Sequence, residues 1–238
     1  MGRPMQMLRD GEHEALILLE KALIERRHGE VAALSSFGAD SAVLLHLVAR
    51  IDPATPVLFI DTRMLFEETL AYRRELAAFL GLTNVRTVEP SARKVSERDP
   101  WGRLHLSDPD SCCAMRKTAP LDEALAPFDG WITGRKRFQA ATRAALPLVE
   151  KTSTGKAKLN PLAGWDSVAL DEYSRRFELP PHPLVRHGYP SIGCASCTSR
   201  VEEGEDARAG RWRGMEKVEC GIHFDNGRLV RAENAASP

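Results

Sequence analysis

The segment VAALSSFGADS, residues 31–41, decides the fold of this chain. Val31–Leu34 is a short apolar run typical of a buried strand, SSFGAD follows as a loop of small and polar residues, and a helical pattern begins at Ser41. In this position the backbone N–H groups of the loop and the positive end of the helix can receive a phosphate. The loop therefore supplies Ser35, Ser36 and Gly38 as candidate phosphate contacts, although such a loop taken alone is equally compatible with a simple turn.

The same alternation of short apolar runs and helical patterns extends over most of the chain. It predicts an α/β fold, with a doubly wound and mostly parallel sheet covered by helices on both faces. The expected helices are 12–27, 41–49 and 66–80, and the expected strands are 31–34, 57–60, 85–88, 131–134 and 158–160.

Composition narrows the class of protein. The 238 residues carry no formal net charge, and the sequence pI is near 7.1, so no global positive field indicates nucleic acid as a partner. No apolar run approaches the roughly 20 residues that cross a bilayer, and the first residues lack the apolar core of a signal peptide. We therefore expect a cytoplasmic protein without membrane contact, consisting of a domain over residues 1–200 and a mobile, polar tail over 201–238.

Five cysteines in a reducing compartment suggest ligands or a reactive thiol rather than disulfides. Cys112 and Cys113 are adjacent, and Cys194 and Cys197 form a CxxC pair, so a fold that joined the two pairs would offer four thiolates to one metal centre. Four cysteines suit either zinc or a [4Fe–4S] cluster, although adjacent cysteines are unusual for a zinc knuckle. Unconnected buried cysteines are the alternative interpretation.

The loop pattern SxGxDS resembles the phosphate loop of the adenine nucleotide α hydrolase-like superfamily, which includes ATP pyrophosphatases and sulfonucleotide reductases. The loop is neither a Walker loop nor a GxGxxG fingerprint. The resemblance implies nucleotide binding at the carboxyl end of the sheet, where Asp61 follows the strand 57–60. A capping or core role for Asp61 is the alternative.

The cysteine pairs, together with Glu219-Cys220-Gly221-Ile222-His223, resemble the iron-sulfur class of assimilatory adenylyl-sulfate reductases, over about residues 34–223. Ile222 replaces the Leu of the family's ECGLH. The resemblance implies a [4Fe–4S] cluster on Cys112, Cys113, Cys194 and Cys197, and Cys220 as the catalytic nucleophile. It also implies substrate contacts from the basic segments 134–143 and 208–212, which resemble GxRRxQxxxR and RxGRW. The further candidate substrate-binding residues are then Lys117, Arg135, Arg143, Arg208, Arg211 and His223.

The resemblance further implies the reaction. A soft thiolate of Cys220 would attack the sulfur of adenylyl sulfate and expel AMP, leaving an S-sulfocysteine that thioredoxin or a similar dithiol cleaves with release of sulfite. Cationic side chains would offset the repulsion between the anionic substrate and the thiolate. The cluster need not carry electrons, because the dithiol already supplies two.

Two departures from the family pattern concern the nucleotide. Arg63 follows Asp61-Thr62 where the family usually has Gly, and Leu65-Phe66 with Glu68-Thr69 is closer to the phosphoadenylyl-sulfate branch. Phosphoadenylyl-sulfate reduction, with Arg63 as an acceptor for the extra phosphate, is therefore the nearest alternative. An ATP-using enzyme that thiolates RNA and a noncatalytic redox sensor are two others. The sequence leaves the oligomeric state open, a homo-oligomer included.

Overall fold

A six-stranded, mostly parallel sheet forms the centre of the molecule in a computed structural model that describes residues 3–140, 143–215 and 217. The strand order is β3-β2-β1-β4-β6-β5, and β5 alone of these strands runs antiparallel to its neighbour. The predicted α/β class and the doubly wound sheet are confirmed. The strands are β1 Val31–Ser35, β2 Val57–Ile60, β3 Val85–Val88, β4 Gly130–Ile132, β5 Val149–Lys151 and β6 Ala157–Leu159.

Helices cover both faces of this sheet. Among the described residues, no helix combines the length and the apolar character that crossing a membrane requires. The α-helices are α1 Arg3–Leu23, α2 Ser41–Ile51, α3 Glu67–Phe79, α4 Ala92–Arg98, α5 Leu104–Ser107, α6 Pro109–Cys113, α7 Ala119–Leu125 and α8 Ser167–Arg176, and a π-helical turn, Ala114–Thr118, joins α6 to α7.

Strands β1 and β2 are buried along their whole length, which explains why continuous apolar runs predicted them well. Helix α1 ends at Leu23 rather than at the predicted Arg27, because Ile24 is exposed and does not extend the apolar face. Strand β5 was not predicted, since its sequence VEK offers no apolar run and its place in the sheet comes from pairing with β6.

The sheet has its topological switch point at β1, which pairs with β2 on one side and with β4 on the other. Successive connections depart in opposite directions there, so a crevice opens beyond the carboxyl ends of β1 and β4. The loops that follow these two strands contain four of the predicted substrate contacts, namely Ser36, Gly38, Arg135 and Arg143.

Candidate active site

A cavity of about 430 Å³ occupies the crevice at the switch point. This volume falls within the range of small-molecule sites, roughly 300–1,000 Å³. Its walls come from the loop after β1, the loop after β4, the π-helical turn and the segments 190–193 and 206–212. Eight of the predicted substrate contacts line it, namely Ser35, Ser36, Gly38, Lys117, Arg135, Arg143, Arg208 and Arg211.

Local hydrogen bonds and the buried Phe37 ring fix the conformation of the loop after β1. Phe37 adopts a positive φ of 48° and buries its ring against Phe59 of β2, with ring centroids 5.4 Å apart. The Ser35 hydroxyl accepts the Phe37 N–H at 3.1 Å, and the Ser41 N–H donates to the Gly38 carbonyl at 3.0 Å. These contacts fix a short loop at the N-terminus of α2, where a phosphate group is favoured.

Basic side chains from the loop after β4 form one wall of the cavity. The Lys136 ammonium is buried and donates to Asp40 in the β1 loop at 2.9 Å. Gln139 also donates to Asp40, at 3.3 Å, and accepts from Arg143 at 2.8 Å. Burial lowers the pKa of Lys136, and Asp40 opposes that shift. The chain of contacts balances the Asp40 charge and couples the two loops that would enclose an anion.

Arg135 lines the same cavity but is also part of a buried polar network. Its guanidinium contacts Glu150 of β5 and donates to the Asn160 side chain at 3.1 Å. Asn160, which is fully buried, accepts from Thr133 at 2.7 Å. Arg135 therefore ties the antiparallel edge of the sheet to the loop after β4.

Cysteines from the two pairs lie near one another, and the neighbouring residues Lys117 and Gly193 line the cavity. Cys112 and Cys113 are buried in α6, while Cys194 and Cys197 flank a short 3-10 turn, and all four are free thiols. Burial raises the pKa of Cys112 to about 11; Arg116 acts in the lowering direction, and Cys194 and Cys197 raise the pKa further. Cys112, Cys194 and Cys197 thus lie close enough for their charges to interact, and the shared four-cysteine centre stays a prediction.

Among the described residues, no three His, Cys, Asp or Glu side chains converge as ligands of a single metal ion. An iron-sulfur cluster does not require such convergence, because each thiolate binds a different iron atom. Four soft thiols without a carboxylate or imidazole among them are the donor set that such clusters use. The donor chemistry therefore fits a cluster.

Arg116, Asp99 and Thr62 form a hydrogen-bonded network that connects the helical segment of Cys112 to Cys194, and Thr62 also lines the cavity. Arg116, four residues after Cys112, donates to Asp99 at 2.8 Å and to the Thr62 carbonyl at 3.0 Å. The Thr62 hydroxyl lies 3.2 Å from Sγ of Cys194. Burial alone would raise the pKa of Asp99, yet hydrogen bonds from the Leu104 N–H and from Arg116 hold that pKa below its usual value.

Lys117 and Arg211 connect the cysteines to the cavity. Both side chains line the cavity, and both lower the pKa of Cys197 by their positive charge, although burial raises that pKa more. The Arg211 guanidinium lies 4.5 Å from the centroid of the Trp212 ring, and the Trp212 N–H donates to the Cys197 carbonyl at 3.0 Å. Two cations of the cavity wall therefore also act electrostatically on Cys197.

Residues 198–215 pack beside the CxxC turn, although the sequence placed residues from 201 onward in a tail. The Ser199 N–H donates to the Gly210 carbonyl at 2.8 Å, and Thr198 forms an antiparallel bridge with Arg211. Lys217 forms an ion pair with Asp110 of α6. These contacts bring Arg208 and Arg211 to the cavity.

The structure gives a position for only one of the three remaining predicted site residues, Asp61. Asp61 does not line the cavity; its carboxylate accepts the Arg63 N–H at 2.8 Å. Arg63 itself is exposed and pairs with Glu89. Cys220 and His223 lie outside the described residues. The roles of Asp61, Cys220 and His223 stay predictions.

Sequence reasoning missed Lys136, Asp40, Asp99 and Arg116. Lys136 lies within the basic segment 134–139, and Arg116 falls on the face of Cys112 at a spacing of four residues, so both carried a local signal. No local sequence signal pointed to Asp99, because its partner Arg116 is 17 residues away in the sequence.

Comparison with known proteins identifies the family. Residues 30–200 match the family model described as the phosphoadenosine phosphosulfate reductase domain. A relative from Mesorhizobium japonicum, named adenosine 5'-phosphosulfate reductase, is 51% identical over 214 residues, covering 90% of this chain and 84% of the relative. A relative of the same name from Streptomyces coelicolor is 42% identical, covering 77% of this chain and 78% of its own.

Solved structures show the same architecture. The phosphoadenylyl-sulfate reductase of Candida auris, in a phosphate complex, aligns with a TM-score of 0.67 at 26% identity, covering 79% of this chain and 90% of that one. Yeast FAD synthetase aligns with a TM-score of 0.55 at 17% identity, covering 81% and 68%, which is a likeness of fold alone. The matched residues include the loop after β1, the loop after β4 and both cysteine pairs, and the chain belongs to the phosphoadenosine phosphosulfate reductase domain family.

Proposed function

We propose that this protein reduces adenylyl sulfate to sulfite and AMP, with thioredoxin or a similar dithiol as reductant. The observation that carries the proposal is the position of Lys117 and Arg211, which line the cavity and also act electrostatically on Cys197. A cavity with further basic residues at Lys136 and Arg143 suits a substrate that is anionic on both its phosphate and its sulfate. The names of the relatives at 51% and 42% identity support the same substrate.

The proposed chemistry begins at Cys220. Its thiolate attacks the sulfur of adenylyl sulfate, the bond from sulfur to the phosphate oxygen breaks, and AMP leaves with that electron pair. The resulting S-sulfocysteine is then attacked at Cys220 Sγ by a thiolate of the dithiol, which releases sulfite. The second thiol of the reductant resolves the mixed disulfide and restores Cys220, so the dithiol supplies both electrons.

The described residues have distinct tasks in this scheme. The loop containing Ser35, Ser36 and Gly38 would hold the nucleotide phosphate at the N-terminus of α2. Lys117, Arg143, Arg208 and Arg211 would neutralise the substrate oxygens as the thiolate approaches. Lys217, three residues before Cys220, contacts Asp110 of α6, which supports delivery of the nucleophile to this side of the cavity.

Cys112, Cys113, Cys194 and Cys197 are the residues that would hold a [4Fe–4S] cluster. When bound, the cluster would supply a fixed, charged centre beside the substrate site and the folding energy that comes with ligation. The proposal predicts iron and acid-labile sulfide at roughly four each per chain in protein purified without oxygen. Stoichiometric zinc in a colourless protein would contradict it.

The test of the function is a comparison of kcat/KM for adenylyl sulfate and phosphoadenylyl sulfate, with sulfite release as the readout. We expect adenylyl sulfate to be preferred, because Arg63 pairs with Glu89 outside the cavity and is not placed to receive an extra ribose phosphate. A large preference for the phosphorylated nucleotide would show that Arg63 and the segment 65–69 indicate the substrate better. Failure to release sulfite from either would contradict the proposal itself.

A further inference from the structure

We propose that Thr69 binds the uncharged adenosine part of the substrate by donating a hydrogen bond from its hydroxyl group, and that His182 is the positioning residue that makes this hydroxyl a donor. The inference deepens the proposed function and rests on it for the identity of the ligand. Neither residue was among the predicted substrate contacts. Thr69 lies in the first turn of α3 and lines the cavity, whereas His182 follows α8 and is not part of the cavity lining.

The surroundings of His182 determine which of its ring nitrogens carries the proton. The side chain is buried, and burial lowers the pKa of His182 to about 4, so the imidazole is neutral near pH 7. Its Nδ1 accepts the Leu184 N–H at 3.2 Å. A neutral imidazole has one N–H donor and one acceptor nitrogen, so the proton is on Nε2.

The proton on Nε2 in turn determines the role of the Thr69 hydroxyl. Oγ1 of Thr69 lies 3.1 Å from Nε2 of His182, and because that nitrogen is the donor, Oγ1 accepts this hydrogen bond. Among the described residues, the Thr69 hydroxyl has no other hydrogen-bond partner, and the residue is only 1% exposed. A buried O–H that has no acceptor in the protein indicates an acceptor in the cavity that Thr69 lines.

The cavity wall around Thr69 indicates which part of the substrate this hydroxyl meets. The residues that β2, the following loop and α3 contribute to the wall are all uncharged, namely Ile60, Thr62, Leu65 and Thr69. The cations of the cavity come instead from the loop after β4, the π-helical turn and the segment 206–212. Phosphate and sulfate favour those cations, whereas adenosine is uncharged and offers ring nitrogens and ribose oxygens as acceptors.

Tyr72 holds the histidine in this position. Its ring packs against the His182 ring with centroids 4.8 Å apart, and its hydroxyl donates to the Pro180 carbonyl at 2.7 Å. Tyr72 lies on α3, three residues after Thr69, so one helix carries both the hydroxyl and the ring that packs against its partner. The direction of the donor is therefore set before a ligand binds, which reduces the cost of ordering it.

Titration calorimetry on the full chain tests the role of Thr69, with AMP and adenosine as the two probes. Thr69→Val keeps the shape of the side chain and should weaken the binding of both probes by about 3- to 10-fold, as expected for the loss of one neutral hydrogen bond. Thr69→Ser keeps the hydroxyl and should bind both like the wild type. In sulfite release, Thr69→Val should raise KM by the same factor and leave kcat unchanged, because the adenosine contact is the same in the ground and transition states.

The role of His182 is tested separately, by a double-mutant cycle and by NMR. His182→Phe keeps an aromatic ring and removes both nitrogens, so it should weaken AMP binding by less than Thr69→Val does. In the Thr69→Val background it should have no further effect on AMP affinity, because the histidine acts through the hydroxyl. Nitrogen-15 NMR of the wild-type histidine rings near pH 7 should show His182 with its proton on Nε2.

Tyr173→Phe is the matched control, because the Tyr173 hydroxyl also pairs with a histidine, 3.0 Å from Nδ1 of His46, outside the cavity lining. It should leave AMP affinity unchanged. The inference is overturned if Thr69→Val binds AMP and adenosine as tightly as the wild type, or if His182 carries its proton on Nδ1, a result that decides the case even where a variant does not fold. Wild-type protein that binds AMP but releases no sulfite would contradict the proposed function and leave the Thr69 contact standing.

Discussion

Replacing Gly193 with alanine should displace Arg211 from the cavity without unfolding the protein. Gly193 precedes Cys194, and the Arg211 guanidinium packs over it, donating to the Ile192 carbonyl at 3.4 Å. A Cβ at Gly193 would lie 2.6 Å from Cζ of Arg211. Ordinary carbon contacts are about 3.5–4.0 Å, so the guanidinium would have to move by roughly 1 Å.

A displacement of about 1 Å in a group that orients the substrate can cost on the order of 100-fold in rate. We therefore expect kcat/KM for adenylyl sulfate to fall about 100-fold, equivalent to roughly 2.7 kcal/mol. Stability should change little, because the obstructing atoms are the end of a flexible side chain. Sulfite release, iron content and the unfolding midpoint are measured together on Gly193→Ala.

Gly164→Ala is the matched control, since its Cβ would meet Nη1 of Arg137 at an ordinary 3.6 Å. It should behave as the wild type. In an Arg211→Ala background, Gly193→Ala should have no further effect, because the group that it displaces is gone. Unchanged kcat/KM in Gly193→Ala, or full additivity in the double variant, would refute the reasoning.

Three further predictions concern the cavity wall, a buried histidine and the cysteines. Lys136→Met leaves Asp40 without its cationic partner and should weaken AMP binding by about tenfold or more, with Asp40→Asn restoring part of the loss. Titration calorimetry measures the affinity of each variant, and equal affinity in all of them would contradict the charge balance. Burial lowers the pKa of His182 to about 4, so the unfolded chain, with an ordinary pKa near 6.5, binds more protons between these values; stability should be complete above about pH 6.5 and fall as the pH drops toward 4. Urea midpoints at pH 5 and 7 should show this loss in the wild type and a smaller one in His182→Gln, and equal losses would reject the assignment. Cys113→Ser should lose iron and thermal stability together, because ligation and folding are coupled; full iron in that variant would remove Cys113 from the ligand set.

The sequence predicted the parts of the fold that depend on local patterns. Strands β2 and β3 match their predicted bounds, since each is a short apolar or alternating run closed by polar residues. Strand β5 could not be predicted, because its place depends on pairing with β6 across the turn at Thr152–Lys156. The short helices α4 and α5 were missed for a similar reason: neither has a buried residue to create a period.

In the candidate site too, local sequence patterns identified some residues, and the fold alone brings the others together. The loop Ser35–Ser41 and the cysteine pairs could be identified because their residues are close in sequence and chemically distinctive. The pairs Arg116–Asp99 and Lys136–Asp40 join residues 17 and 96 positions apart, and neither aspartate has a neighbour that reveals its partner. For Arg135, the motif indicated a substrate contact, but it did not reveal the ion pair that Arg135 also forms with Glu150.

The central claim, that Cys220 carries the sulfo group between substrate and reductant, is tested most directly by mass spectrometry of single-turnover mixtures. Wild-type protein incubated with adenylyl sulfate and no reductant should release AMP and gain one sulfo group on the peptide that contains Cys220. Thioredoxin should then remove that group with release of sulfite, while Cys220→Ser should keep the cluster and gain nothing, because a hydroxyl is a far poorer nucleophile than a thiolate near neutral pH. An unmodified Cys220 peptide after AMP release, or turnover by the serine variant, would contradict the account.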